Sequence, residues 1–359
     1  MNLKLGSTFG FLGALFMSSH SIASTQVEGK FVNSEIQYES GFGTLIDISK
    51  AYITTKRDAP EPAKPIPLKV IEKSELEQAQ GPIIYRLGHS TLLMKIDGRL
   101  VLADPVFSER ASPFSFVGPK RFHQPPISIE NLPKIDAVVL SHDHYDHLDK
   151  EAILALANKV DHFVTPLKVG QTLIKWGVNA DKITELDWWQ AKKIGSLTLT
   201  AAPAQHFSGR GLFDRDKTLW AGWAIKGEQA NVFYTGDTGY FSGFKEIGER
   251  LGPFDLSMVE TGAYNELWKD IHMHPSESLQ AHLDLNAKAM MPVHNGTFDL
   301  SLHDWYEPLE SIMALANENG VKLVTPIFGE PVSIIAPQKS SPWWQELVIE
   351  DNLKVASQF

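Results

Sequence analysis

His142, His144, Asp146 and His147 fall within six positions directly behind the apolar run Asp136-Ala-Val-Val-Leu140. A pattern His-x-His-x-Asp-His has few uses other than gripping metal. Imidazole and carboxylate are donors that zinc accepts, and with no cysteine in the chain no thiolate competes. Histidines two apart on an extended segment project to one side. The Asp-His pair then turns into a helix and can address a second metal nearby. The fold must therefore present a rigid strand end to one or more cations.

Composition narrows the class. The 359 residues can form one large domain or two small ones, and 43% hydrophobic with 21% charged residues is ordinary for a soluble globular protein. A formal net charge of −10 argues against nucleic acid as a partner, because phosphate backbones are met by basic surfaces. Residues 1–23 read as a signal peptide: Lys4, the apolar stretch Phe9–Phe16, and a small-x-small site at Ser21-Ile22-Ala23. The stretch is shorter than the roughly 20 residues a membrane span needs. A periplasmic or secreted protein is expected.

Residues 24–80 lack clear periodicity and include Ala59-Pro-Glu-Pro-Ala-Lys-Pro-Ile-Pro67, so they read as an arm or linker. The main domain is expected over 81–340, with a tail at 341–359. It begins with short apolar strands, two of them joined by Asp97-Gly98, a hairpin turn signal. Strands then alternate with helical segments. Asp149 is a candidate N-cap for a helix over 150–159, Ser196–Thr200 and Asn231–Thr235 read as strands, Pro275 opens a helix, and Ala289–Val293 is strand-like. This order predicts an α/β fold, an αββα sandwich of two mixed sheets with helices outside.

Three further donors each follow one of these strands: His206, Asp237 between Gly236 and Gly239, and His294. The set divides into two sites. His142, His144 and His206 form one with an open position; Asp146, His147 and His294 form the other, with Asp237 bridging. Two zinc ions so held would activate a bridging hydroxide at neutral pH and offset the acidic surface for an anionic substrate.

Ser141–Asp149 resembles the signature of the metallo-β-lactamase superfamily. Leu87-Gly-His-Ser-Thr91, Asp104–Pro113, Gly118-Pro-Lys-Arg-Phe122, Glu185-Leu-Asp-Trp-Trp189, Pro203-Ala-Gln-His206, Tyr234–Tyr240, Gly262-Ala-Tyr264 and His294-Asn-Gly-Thr-Phe298 are similar to the group of phospholipases D that hydrolyse N-acylphosphatidylethanolamine. The likeness runs from about residue 83 to 335, and Phe31-Val-Asn33 extends it toward the N-terminus. It implies that the seven residues named above are the zinc ligands. Asp146 and His272 are the catalytic candidates: His272 matches a histidine of that group and would orient the phosphate or protonate the leaving group, with a structural or surface role as its alternative. Two departures stand near the pocket: Asn295 where that group has Trp, and Val259-Glu260-Thr261 in place of a more apolar segment.

The function expected is a dinuclear zinc hydrolase, a phosphodiesterase of phospholipase D type. A lactonase or other ester hydrolase is the enzymatic alternative, and a non-catalytic periplasmic metal- or ligand-binding protein the alternative outside enzymes. Expected partners are a phospholipid or another small phosphodiester or ester, with peripheral membrane contact; a homodimer stays open. Trp188, Trp189, Trp220 and Trp223 read as core or rim aromatics, and His89 as hydrogen-bonded within its own turn. Gly118–Arg121 reads as a loop, either solvated or facing phosphate.

Overall fold

The computed structural model describes residues 23–38 and 42–348, so the apolar leader and the last residues lie outside the described part. The chain opens with a small hairpin, β1 (Thr25–Val27) and β2 (Lys30–Val32), followed by α1 (Phe42–Thr54) and α2 (Lys73–Gln78). A first run of strands follows: β3 (Ile83–Arg86), β4 (Leu92–Ile96), β5 (Arg99–Ala103), β6 (Ile135–Val139), β7 (Val160–Pro166) and β8 (Ile183–Leu186). Helices α3 (Lys150–Leu156) and α4 (Val169–Trp176) connect its later members. The second run is β9 (Ala191–Ile194), β10 (Leu197–Ala202), β11 (Gly222–Lys226), β12 (Asn231–Tyr234), β13 (Leu256–Glu260) and β14 (Met290–Val293). It is interleaved with α5 (Gly243–Leu251) and α6 (Pro275–Asp284), and α7 (Glu307–Glu318) and β15 (Pro331–Ser333) close the order.

The strands form two mixed sheets, in the orders β15-β3-β4-β5-β6-β7-β8 and β14-β13-β12-β11-β10-β9. In each, a meander of antiparallel strands passes into parallel strands, at β5–β6 and at β12–β13. Asp97 and Gly98 form the two-residue turn of the β4–β5 hairpin, both at positive φ.

The alternation of side chains along a strand assigns the layers. Leu92, Met94, Val101 and Ala103 face Leu199, Trp223, Val232 and Met258 of the opposite sheet. Leu93, Leu102 and Val138 point the other way, against Ile153, Leu156 and Leu173 of α3 and α4. Phe233 and Val259 pack on Phe244, Ile247, Leu279 and Ile312 of α5, α6 and α7. Burying one such side chain contributes about 1.5–3 kcal/mol, so both faces of both sheets demand cover. The result is the expected αββα sandwich.

The segment read as a linker is packed against this sandwich. Phe31 enters the inter-sheet core, Ile71 and Leu76 cover the first sheet, and Ala59 and Ile66 join a cluster with Trp305, Phe328, Trp343 and Trp344. Outside α1 and α2 the segment is largely irregular and buries isolated residues, so no local periodicity records the packing. Trp343, Trp344, Leu347 and Val348 of the expected tail pack in the same cluster.

Candidate metal centre

All the donors picked out by spacing meet at one rim of the two sheets. His142 and His144 leave β6, and His206 leaves β10. His142 Nε2 lies 2.9 Å, and His206 Nε2 3.3 Å, from His144 Nδ1. Donors around a tetrahedral zinc with bonds near 2.0–2.1 Å sit ~3.3 Å apart, so the spacing suits one ion. Burial, and then the surrounding imidazoles, hold His142 well below the usual histidine range. Burial likewise depresses His206, with Asp237 opposing. Neutral rings present the lone pairs a cation needs. His206 Nδ1 donates to the Ile271 carbonyl at 3.0 Å, which leaves Nε2 free for a metal. Asn33, in the N-terminal segment, brackets the main chain of His206: its Oδ1 accepts from the His206 N–H at 3.0 Å and its Nδ2 donates to the carbonyl at 2.8 Å.

The second group gathers Asp146, His147 and His294. His294 Nε2 is 3.3 Å from Asp146 Oδ2 and 2.9 Å from Asp237 Oδ2, and His147 Nε2 is 3.0 Å from Asp237 Oδ1. Asp237 Oδ2 also stands 3.8 and 3.9 Å from Nε2 of His142 and His206, so this carboxylate lies between the two groups. Its turn depends on glycine. Gly236 has φ +60°, and a β-carbon on Gly239 would lie 2.1 Å from the Asp270 carbonyl oxygen. His147 Nε2 and Asp237 Oδ1 are buried and make no hydrogen bond despite their approach. Orphaned buried donors and acceptors aimed at a common centre fit a cation there. Burial alone would lower His294, but Asp237 and Asp146 outweigh it and push the ring up to about 10.

Four supporting residues were not identified from the sequence. His89 does not bond within its own turn: its Nε2 is 3.2 Å from Asp146 Oδ2, and its ring centre is 4.0 Å from that of His294. It is the fourth member of a potential metal-holding group with Asp146, His147 and His294. The signal was the same one that marked His206 and His294, a histidine just past a buried strand. Asp104, after β5, accepts from His147 Nδ1 at 2.7 Å, from the Ser141 N–H at 2.7 Å and from Tyr234 OH at 2.5 Å. Arg86 donates to the Asn295 carbonyl at 2.5 Å and to its Oδ1 at 2.9 Å, while lying over the Phe328 ring. That grip secures the residue after His294, whose φ of +65° is a strained conformation for a residue with a side chain. Glu260, at the end of β13, is fully buried, with Oε1 2.7 Å from His272 Nδ1.

His272 does join the site. One of its ring nitrogens lies within 4.8 Å of donor atoms of Asp237 and His294. In the loop Gly118–Arg121, Arg121 is buried and donates to the Phe107 carbonyl, and Lys120 pairs with Glu109 at 2.8 Å. Trp188, Trp220 and Trp223 are core residues, each indole N–H donating to a carbonyl, of Trp220, Ala204 and Leu140 respectively. A cavity of about 620 Å³ beside Tyr145, Trp176 and Arg210 has none of the seven donors in its wall. A smaller apolar groove, about 220 Å³, does reach the site through His272.

An αββα sandwich with a His/Asp centre at one rim defines a class of metal-dependent hydrolases, and the comparisons agree. Residues 99–295 match the family model described as a beta-lactamase superfamily domain. The chain belongs to the metallo-β-lactamase superfamily. It is 44% identical over 307 residues to an uncharacterized protein of Mycobacterium tuberculosis, covering 82% of this chain and 79% of that one. It is 37% identical to N-acyl-phosphatidylethanolamine-hydrolyzing phospholipase D 1 of Caenorhabditis elegans, over 70% of this chain and 74% of the relative. Among solved structures, a metallo hydrolase from Ignicoccus hospitalis shares the fold with a TM-score of 0.54 at 20% identity, over 70% of this chain and 98% of that one.

Proposed function

We propose that this metallohydrolase is a dinuclear zinc phosphodiesterase of phospholipase D type, acting on lipids like N-acylphosphatidylethanolamine. The observation that carries the reading is the apolar groove walled by Tyr38, Ile48, Phe207, Trp268 and Leu300, which ends on His272 beside the metal donors. Such a wall suits an acyl chain whose phosphodiester reaches the centre. The named activity of the nematode relative supports the same substrate class.

His142, His144 and His206 would hold one ion, Asp146, His147 and His294 the other, with Asp237 shared and His89 steadying Asp146. When bound, the pair supplies a water-derived nucleophile at neutral pH and neutralises charge on the phosphoryl oxygens. Asp146 keeps its carboxylate toward the centre through its contacts with His147, His294 and His89. His272 orients the phosphate from the groove side, and the aromatic wall excludes bulk water from the scissile bond.

The deciding assay gives zinc-loaded protein N-acylphosphatidylethanolamine in mixed micelles, with and without chelator. Chelator-sensitive release of phosphatidic acid and N-acylethanolamine is expected. No release, combined with turnover of a lactone or simple ester, would replace this reading with the ester-hydrolase one.

Export and membrane contact belong to the same proposal. The apolar leader supports a periplasmic or secreted location, checked by fractionating cells that express the full chain. The exposed Phe116, Leu212 and Phe213 support peripheral contact with a bilayer. Among the described residues no helix is long and apolar enough to cross a membrane. Co-sedimentation with phosphatidylethanolamine vesicles is expected for the wild type and reduced for Leu212→Ser/Phe213→Ser.

A further inference from the structure

We propose that Glu260 is a positioning residue that holds His272 with Nδ1 turned inward, leaving Nε2 as the nitrogen that meets the substrate. The inference rests on the hydrolase reading above and assigns a role to one of the two places where this chain departs from the phospholipase D pattern.

The geometry is specific. Glu260 ends β13 with no exposed surface, and its backbone is tied on both sides: its N–H donates to Thr235 Oγ1 at 3.0 Å, and its carbonyl accepts from Ser278 Oγ at 2.7 Å. One carboxylate oxygen takes the 2.7 Å contact with His272 Nδ1. The other accepts long bonds, 3.4 Å each, from the N–H groups of Thr238 and Met273. An ionised carboxylate accepts but cannot donate, so in that form Glu260 draws the hydrogen to Nδ1. The tautomer and the ring plane are then set together.

His294 is the competing beneficiary. Carboxylates often orient metal-binding histidines, and His294 Nδ1 has no hydrogen-bond partner. It lies 3.9 Å from Glu260 Oε1, beyond hydrogen-bond reach, whereas His272 is at 2.7 Å. Distance therefore assigns the carboxylate to His272. That ring also forms part of the groove wall and packs on His206 and His294, with centroids 5.1 and 5.3 Å away. It lines the groove, packs on a ring of each donor group and meets Glu260.

The test uses full-length zinc-loaded protein and the variants Glu260→Gln, Glu260→Ala, His272→Ala and Glu260→Ala/His272→Ala. Hydrolysis of bis(p-nitrophenyl) phosphate and zinc content are measured for each, with 15N NMR of the histidine rings in wild type and Glu260→Gln. The expected result is a roughly ten- to hundredfold loss of kcat for Glu260→Ala, with KM and zinc content little changed. The double variant should be no slower than His272→Ala, because both changes remove one device. The His272 ring should carry hydrogen on Nδ1 in the wild type and lose that preference in Glu260→Gln.

Additive losses, an unaltered kcat, or loss of zinc on changing Glu260 would overturn the proposal; the last would assign the carboxylate to His294. Should Glu260→Ala fail to fold, the near-isosteric Gln variant carries the same comparisons. The NMR readout needs no substrate. It therefore decides the role of Glu260 even if the chain proves inactive on phosphodiesters, an outcome that would sink only the substrate reading.

Discussion

The two halves of the centre are built from different materials. The His142, His144 and His206 half is supported by neutral groups: the Ile271 carbonyl, the Asn33 amide and Ser141 Oγ, which lies 2.9 Å from His142 Nδ1. The Asp146, His147 and His294 half is braced by charge, with Asp104 on His147 and Arg86 on the residue after His294. The proton affinities of the rings differ in the same sense. Burial and neighbouring imidazoles depress His142, whereas the carboxylates overcome burial and raise His147 well above its usual value. One half is braced by neutral groups, the other by charged side chains, and Asp237 lies between them.

That contrast can be broken most forcefully at Asp237. Asp237→Ala should lower zinc-dependent hydrolysis by about a thousandfold or more, roughly 4 kcal/mol, and reduce bound zinc in both halves. Normal zinc occupancy with one half intact would show that the halves do not share this carboxylate.

Acid should act on the scaffold as well as on the site, and a residue outside the centre separates the two. His282 in α6 is buried, with Nδ1 2.8 Å from Ser257 Oγ, and burial holds it down to about 4. An unfolded histidine titrates near 6.5, so between these values the unfolded chain binds the extra proton. Stability is therefore present above about pH 6.5 and lost as the pH falls toward 4, by up to about 3 kcal/mol from this group. His282→Gln should flatten the fall of Tm over that window, and what slope remains belongs to the other histidines. An unchanged slope would remove His282 from the account.

Asp104→Asn should weaken zinc binding about ten- to a hundredfold in the charge-braced half while leaving the other binding step unaltered in a competitive titration. Asn33→Ala should produce the mirror effect and the smallest one: a few-fold to tenfold weakening at the His206 half, with about 1 kcal/mol lost in stability. If both substitutions weaken both steps equally, the halves are not independently supported.

Much of the architecture was legible because it is written locally. The buried strands declare themselves by apolar runs, the β4–β5 turn by Asp97-Gly98, and the start of α3 by Asp149, whose side chain accepts from the N–H groups of Glu151 and Ala152. The helix ends earlier than its composition suggests, at Leu156 rather than Lys159, because Val160 begins a strand. Asn33 and Asp104 carried no comparable local sign of their supporting roles. Their partners are 173 and 43 residues away, and no local periodicity records such a pairing.

By itself the sequence picked out the candidate donors, since coordination chemistry restricts which side chains can serve and each follows a readable strand. It also determined the two mixed sheets, since period-two burial is a local property. Only the tertiary structure decided that His89 turns to Asp146, that residues of the 24–80 segment pack on the domain and that Glu260 meets His272. Those outcomes depend on side chains brought together by sheet packing across long stretches of chain, where contact is set by the whole fold and not by neighbouring residues.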